Sequence, residues 1–253
     1  PHFLSPFFRV GLLGELTPES FGHLMGLLSA LCVFFLCGFL DRVIRDPRLR
    51  LFAMIAVGGF VSFHCYLPVS DEPYYQYFPI RVLFPSVFLF ASAWFFERAT
   101  FKRFCLVSGI VATACLFNLD SGVICYLSWI LGVVFHLLTE QAARPPKVWL
   151  RHLTGLLAVS LLVWVTYAFA IRLGFGAWPR LDRVGSVALL LFSQFGFFLL
   201  PMPLWHVWNL YVLLGLVGLG VAVKSRSKDL FTAAVLCMGG FSYYQGRSYV
   251  TNL

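Results

Sequence analysis

Long apolar runs alternate with short polar breaks along the whole chain. Residues 21–40, 51–67, 104–117, 123–138, 187–200, 204–223 and 230–241 hold no Asp, Glu, Lys or Arg. Residues 80–96 and 153–173 are just as apolar but carry Arg81 and Arg172. A helix rises about 1.5 Å per residue, so a run near twenty residues matches about 30 Å of hydrocarbon. Inside hydrocarbon every backbone N–H and C=O must find its partner within the segment, which makes each such run a helix. The first helix has a readable start. Thr17 is placed to cap it, and Pro18, which lacks a donor N–H, suits its first position.

One run stands apart. Residues 187–200 are short for a span and stop at Pro201-Met202-Pro203. Apolar runs of 10–14 residues are more often re-entrant or interfacial than spanning. Ser193 and Gln194 within it suit a polar cavity better than lipid. The expected architecture is therefore an all-α polytopic transmembrane bundle of about eight spans plus one short re-entrant or interfacial segment. Nine spans is the alternative, and it turns on this segment alone.

The breaks differ in charge. Residues 41–50 carry Arg42, Arg45, Arg48 and Arg50; 97–103 carry Arg98, Lys102 and Arg103; 139–152 carry Arg144, Lys147 and Arg151. That is 4 + 3 + 3 = 10 of the 19 Lys and Arg. Short cytoplasmic loops collect Lys and Arg. These three breaks alternate along the chain, as loops on one side of a membrane must. If 187–200 does not cross, Lys224, Arg226 and Lys228 join them and the total becomes 13. The breaks near Asp71, near Asp120, at 174–186 and after residue 241 then gather on the extracytoplasmic side.

Composition supports the class. The chain is 60% hydrophobic and 12% charged, against about 45–50% and about 25% for soluble domains. A net charge of +8 reports topology here. No Lys/Arg run or binding motif points to nucleic acid. The seven cysteines all fall in apolar runs, with no CxxC and no zinc spacing, and read as packing residues. Residues 1–253 read as one transmembrane domain, and a chain that begins at Pro1 is expected to be a fragment of a longer protein.

Candidate chemistry lies in the breaks. The densest is Asp71-Glu72-Pro73-Tyr74-Tyr75. A carboxylate at the membrane rim suits a general base or a metal ligand for a phosphate-linked substrate; a solvated loop with interfacial tyrosines fits the same residues. Arg81 and Arg247 lie beside spans, where a cation must snorkel or pair. Either suits a lipid phosphate. For Arg81 a structural pair is the expected reading, with Asp71 or Glu72 as example partners. Asp120 is a functional candidate by its depth, and Asp120 or Ser121 is also the expected N-cap of the fifth helix. Trp178-Pro179 reads as an interfacial anchor. The six histidines are dispersed, and none reads as a ligand.

Asp71-Glu72-Pro73-Tyr74-Tyr75, Asn118-Leu119-Asp120-Ser121-Gly122 and Tyr243-Tyr244-Gln245-Gly246-Arg247-Ser248 together resemble bacterial multi-pass membrane proteins of the GT-C glycosyltransferase superfamily. The resemblance implies transfer of a sugar from a polyprenyl-phosphate-linked donor, on the extracytoplasmic face of the bacterial inner membrane. It implies inversion at the sugar, with Asp71 or Glu72 as base and Asp120 orienting the acceptor. Arg247, then Arg81, would contact the phosphate, with Tyr74, Tyr75 and Tyr244 lining the site. A cation or a divalent metal would stabilise the leaving phosphate. In that family the catalytic carboxylate follows the first helix, so a matching loop before Pro1 is the alternative to Asp71 and Glu72. Two other classes fit the same pattern: a transporter or flippase with a polar cavity, and a non-catalytic scaffold.

Overall fold

The protein was analysed as a computed structural model, which describes residues 17–66, 78–140, 146–179 and 207–245. Among the described residues there are eight helices and no strand. They are α1 (Pro18–Val43), α2 (Pro47–Tyr66), α3 (Leu83–Glu97), α4 (Phe101–Phe117), α5 (Leu119–Glu140), α6 (Pro146–Phe175), α7 (Val207–Ser225) and α8 (Lys228–Gln245).

The helix starts follow local chemistry. Thr17 caps α1 as expected: its hydroxyl accepts from the Ser20 amide at 3.1 Å, and the Ser20 hydroxyl accepts from the Thr17 amide at 2.9 Å. Thr100 caps α4 in the same way, through the Arg103 amide. Asn118 caps α5, its Oδ1 accepting from the Ser121 amide at 3.1 Å. The cap is thus neither Asp120 nor Ser121. The expected break over 118–122 shrinks to Asn118 alone, because Asn118 ends one helix and its side chain starts the next. So sharp a reversal presses Gly122 against the Ala114 carbonyl, where a Cβ would come within 2.5 Å.

Side-chain contacts fix the helix directions. Cys32, Gly38 and Arg42 of α1 meet Pro79, Phe90 and Glu97 in turn, so α1 and α3 run parallel. Ser108 of α4 meets Trp129 of α5, and Gly122 meets Ala114, so α4 and α5 are antiparallel. Gly109 and Ala112 meet Val159 and Trp164, which sets α6 parallel to α4. Ile124, Gly132 and Phe135 of α5 meet Gly239, Thr232 and Phe231 of α8, an antiparallel pair. Gly215 and Gly218 of α7 meet Met238 and Ala234, also antiparallel. Val43, Glu97, Glu140, Ser225 and Lys228 therefore share one end, the basic end. Phe175 and Val207 both lie at the other end, so the chain between them leaves and returns on the same side.

The bundle is apolar outside and mixed inside. Phe34, Phe52, Ile55, Leu161, Leu162, Phe169, Leu173 and Leu214 are exposed. Ser86, Ser92, Ser108, Ser128, His136, Ser160 and Thr232 are buried. Where the surroundings are hydrocarbon, large apolar side chains gain nothing by hiding, while small and hydroxyl residues let helices approach and bond. Gly132 shows it: the Thr232 hydroxyl lies against its Cα, in the space any larger side chain would fill. Three of the helices carry a segment long and apolar enough to cross a membrane, Glu19–Val43, Leu119–Glu140 and Pro146–Phe175. The protein is a helical, membrane-associated bundle.

Two cores fill it. The larger, between α3, α4, α5 and α6, centres on Trp129, which is fully buried, with Phe88, Phe95, Phe96 and Phe104 around it. Phe95 meets Trp129 edge-on at 5.1 Å, and the indole N–H donates to Ser108 Oγ at 3.0 Å. The smaller core, of Met25, Leu28, Cys32, Phe78, Ile80, Leu83 and Phe117, sits where the turn before α3 meets α1 and the end of α4.

Candidate functional site

At the end opposite the basic end, Arg81 and Asp120 come together. Arg81 lies in the turn over 78–82 that leads into α3. Asp120 lies in the first turn of α5, where the positive end of the helix dipole favours a carboxylate. Arg81 Nη2 is 4.0 Å from Asp120 Oδ2, and the side chains are 11% and 16% exposed. Beside them the Phe84 and Phe117 rings meet at 5.0 Å. An ion pair this far from water is held by mutual charge, since losing one partner leaves the other desolvated. Asp120 is thus a structural partner of Arg81; the example partners Asp71 and Glu72 lie outside the described residues.

Of the other candidates, Asp71, Glu72, Tyr74, Tyr75 and Arg247 lie outside the described residues. Tyr244 lies in the last turn of α8. The chain enters and leaves 67–77 at the end that holds the Arg81–Asp120 pair, because α2 ends and α3 begins there. The same end receives Gln245 and the close of α6. There Gly176, at φ +72°, ends the helix, and Trp178 turns back onto Phe169 at 5.2 Å with Arg172 6.0 Å from its ring centroid. Trp178 is half-exposed, an arrangement that fits an anchor at a membrane interface.

No group of three His, Cys, Asp or Glu is placed to hold a metal among the described residues. Beside Asp120 stands a guanidinium instead of a second ligand. The described part of this end therefore offers no ligand set for a divalent metal.

Sequence reasoning passed over a second ionisable group at the basic end. Arg42 of α1 pairs with Glu97 of α3, and Lys228 of α8 with Glu140 of α5. His136, 1% exposed, faces Glu140 at 3.5 Å, with the Phe95 and Phe96 rings at 5.6 and 5.7 Å. Burial pushes the Asp229 carboxyl up to about 6; Lys228 pulls it down and Glu97 adds to the rise. The available signal was the i, i+4 spacing of His136 and Glu140 at a helix end. Nothing local linked them to residue 229.

Compared with protein-family models, with curated proteins and with solved structures, the chain finds no match.

Proposed function

We propose that the chain is an eight-span membrane glycosyltransferase-like protein, with residues 187–200 re-entrant or interfacial. The basic end faces the cytoplasm and the Arg81–Asp120 end faces outward. The observation that carries this reading is the convergence of polar motifs at one end of the bundle. Helix directions bring the ends of α2, α6 and α8 and the starts of α3 and α5 together there. Phe175 and Val207 share that side, which supports a segment between them that does not cross. Thirteen Lys and Arg then lie at or near the basic end, in keeping with the distribution of Lys and Arg in cytoplasmic loops.

In this reading Asp71 or Glu72 removes the proton of an acceptor hydroxyl. The acceptor oxygen bonds to the anomeric carbon of a polyprenyl-phosphate-linked sugar, on the face opposite the phosphate. The bond from that carbon to the phosphate oxygen breaks, and its electron pair leaves with the lipid phosphate. Arg247 stabilises the charge that develops there, and Tyr74, Tyr75 and Tyr244 line the site. Asp120 holds Arg81 in place at the rim and orients the acceptor.

Sugar incorporation from lipid-linked donors, followed in membranes carrying the protein, tests this. Asp71→Asn, Glu72→Gln, Asp120→Asn and Arg247→Gln are compared at matched protein level. One of the first two should lower transfer by 10²-fold or more, about the contribution of a general base. A wild type that transfers no sugar from any donor sinks the reading and moves the transporter forward. Four variants as active as wild type place the chemistry outside these residues.

A further inference from the structure

The Lys and Arg at the basic end fall into two sets. Arg42, Arg50 and Lys228 each meet a carboxylate, of Glu97, Asp41 and Glu140 in turn. Lys102, Lys147 and Arg151 meet none among the described residues. The sequence shows why: residues 98–119 and 141–181 hold no Asp or Glu. Both α4 and α6 therefore open at this end with cations and no carboxylate of their own. The two helices are parallel, so the positive ends of their dipoles add to that charge.

The three cations gather at one seam. α6 packs chiefly on α4. Arg151 Cζ of α6 lies 4.0 Å from the centroid of the Phe101 ring, next to Lys102 in the first turn of α4. Gly155 makes room for that ring, since a Cβ there would come within 2.9 Å of it. Lys102 stands two helical turns before Gly109, which faces Val159 of α6, so it lies near the same side of α4. Lys147 precedes Arg151 by one turn of α6. All three cations are exposed. Arg103 differs, because its guanidinium is engaged by the Trp94 carbonyl and ring. One turn further in, the seam becomes apolar. Leu106 follows Lys102 on α4, Leu162 and Val165 continue the Arg151 side of α6, and all three are exposed.

We propose that the α4–α6 seam at the basic end binds one anionic phospholipid. Lys102, Lys147 and Arg151 hold the headgroup phosphate, and the acyl chains lie along Leu106, Leu162 and Val165. Charge complementarity selects the headgroup. A guanidinium bonds two phosphate oxygens at once, and basic groups at a membrane surface attract anionic lipid. A zwitterionic headgroup brings its own ammonium group and leaves the cluster's charge unbalanced. The lipid supplies the counter-charge that α4 and α6 lack and fastens α6 to its main neighbour. This inference needs a membrane around the bundle and does not depend on sugar transfer.

Native mass spectrometry of the purified full chain in detergent tests the site, with phosphatidylglycerol and phosphatidylcholine of the same acyl chains as probes. The wild type should retain one phosphatidylglycerol about tenfold or more in preference to phosphatidylcholine. Lys102→Gln, Lys147→Gln and Arg151→Gln should each weaken phosphatidylglycerol about fivefold, the weight of one cation near an anionic headgroup, and leave phosphatidylcholine unchanged. The double variant Arg45→Gln with Arg48→Gln removes two charges from the same end away from the seam, and should leave binding within about twofold of wild type. Equal retention of the two lipids overturns the proposal. So does a double variant that loses as much as Arg151→Gln, which would mean diffuse attraction to the whole basic end. Inorganic phosphate in large excess should displace little, because it lacks the chains. Full displacement by it would mean a site for free phosphate and would overturn the lipid assignment.

Discussion

The two ends of the bundle handle charge in opposite ways. At the basic end, Arg42–Glu97 and Arg50–Asp41 stand in half-exposed positions, with side chains 28% and 46%, and 34% and 61%, exposed. Water solvates them, so each pair contributes little and mainly marks which side of a membrane the end faces. Arginines there also lie over rings: Arg103 over Trp94 and Arg151 over Phe101, each at 4.0 Å. Beneath them is the large aromatic core around Trp129. At the other end the smaller core lies beside the Arg81–Asp120 pair, which is largely out of water. Desolvating two charges costs several kcal/mol, and an apolar pair of the same volume often serves stability as well or better. Charge kept under that cost points to a role in position or function, while charge kept in water points to topology.

The sharpest way to separate the ends is to weaken each in turn. Trp129→Ala should cost the most, about 3–5 kcal/mol, since it empties a fully buried site and leaves Ser108 without its donor. Equilibrium unfolding in detergent reads this directly. If Trp129→Ala is nearly silent, the stability of the bundle does not rest on its larger core. Arg81→Ala or Asp120→Ala should each cost about 3 kcal/mol, because each strands a desolvated charge. The double change Arg81→Met with Asp120→Leu should recover most of the loss in unfolding but not in sugar transfer. Recovery of both would reduce the pair to scaffolding. Smallest of all, Arg42→Gln should cost less than about 1 kcal/mol, and added salt should shrink even that. A loss as large as that of Arg81→Ala would erase the contrast between the ends.

Much of the bundle was legible before its structure was seen. The start of α1 at Thr17 was readable because a cap is a local device, with the hydroxyl and the amide it serves three residues apart. Apolar runs announced the helices for a similar reason. Their ends were harder to place: α6 begins at Pro146, within the expected loop over 139–152, and α5 runs on into it to Glu140. The cap of α5 was misplaced by two or three residues. Asp, Ser and Asn all favour that position, and only the tight reversal after Phe117 selects Asn118. The pairing of Arg81 with Asp120 was not legible. The two are far apart in sequence, and Asp120 is reached only by packing α5 beside the turn that opens α3.

The same division holds for the whole molecule. The order of apolar runs and polar breaks is enough to specify a helical chain for a lipid environment, with Lys and Arg collected in alternate breaks. Both facts depend only on composition along single segments, since hydrocarbon demands internally bonded helices. It took the packing of the helices to put Phe175 and Val207 on one side, Asp120 beside Arg81, and Lys228 beside Glu140. Those facts depend on which helices meet, and the meeting is set by glycines, hydroxyls and rings from distant parts of the chain: Gly132 against Thr232, Gly215 against Met238, Trp129 against Ser108. No single segment carries that information, because a helix alone in lipid has no preferred neighbour until a complementary face is offered to it.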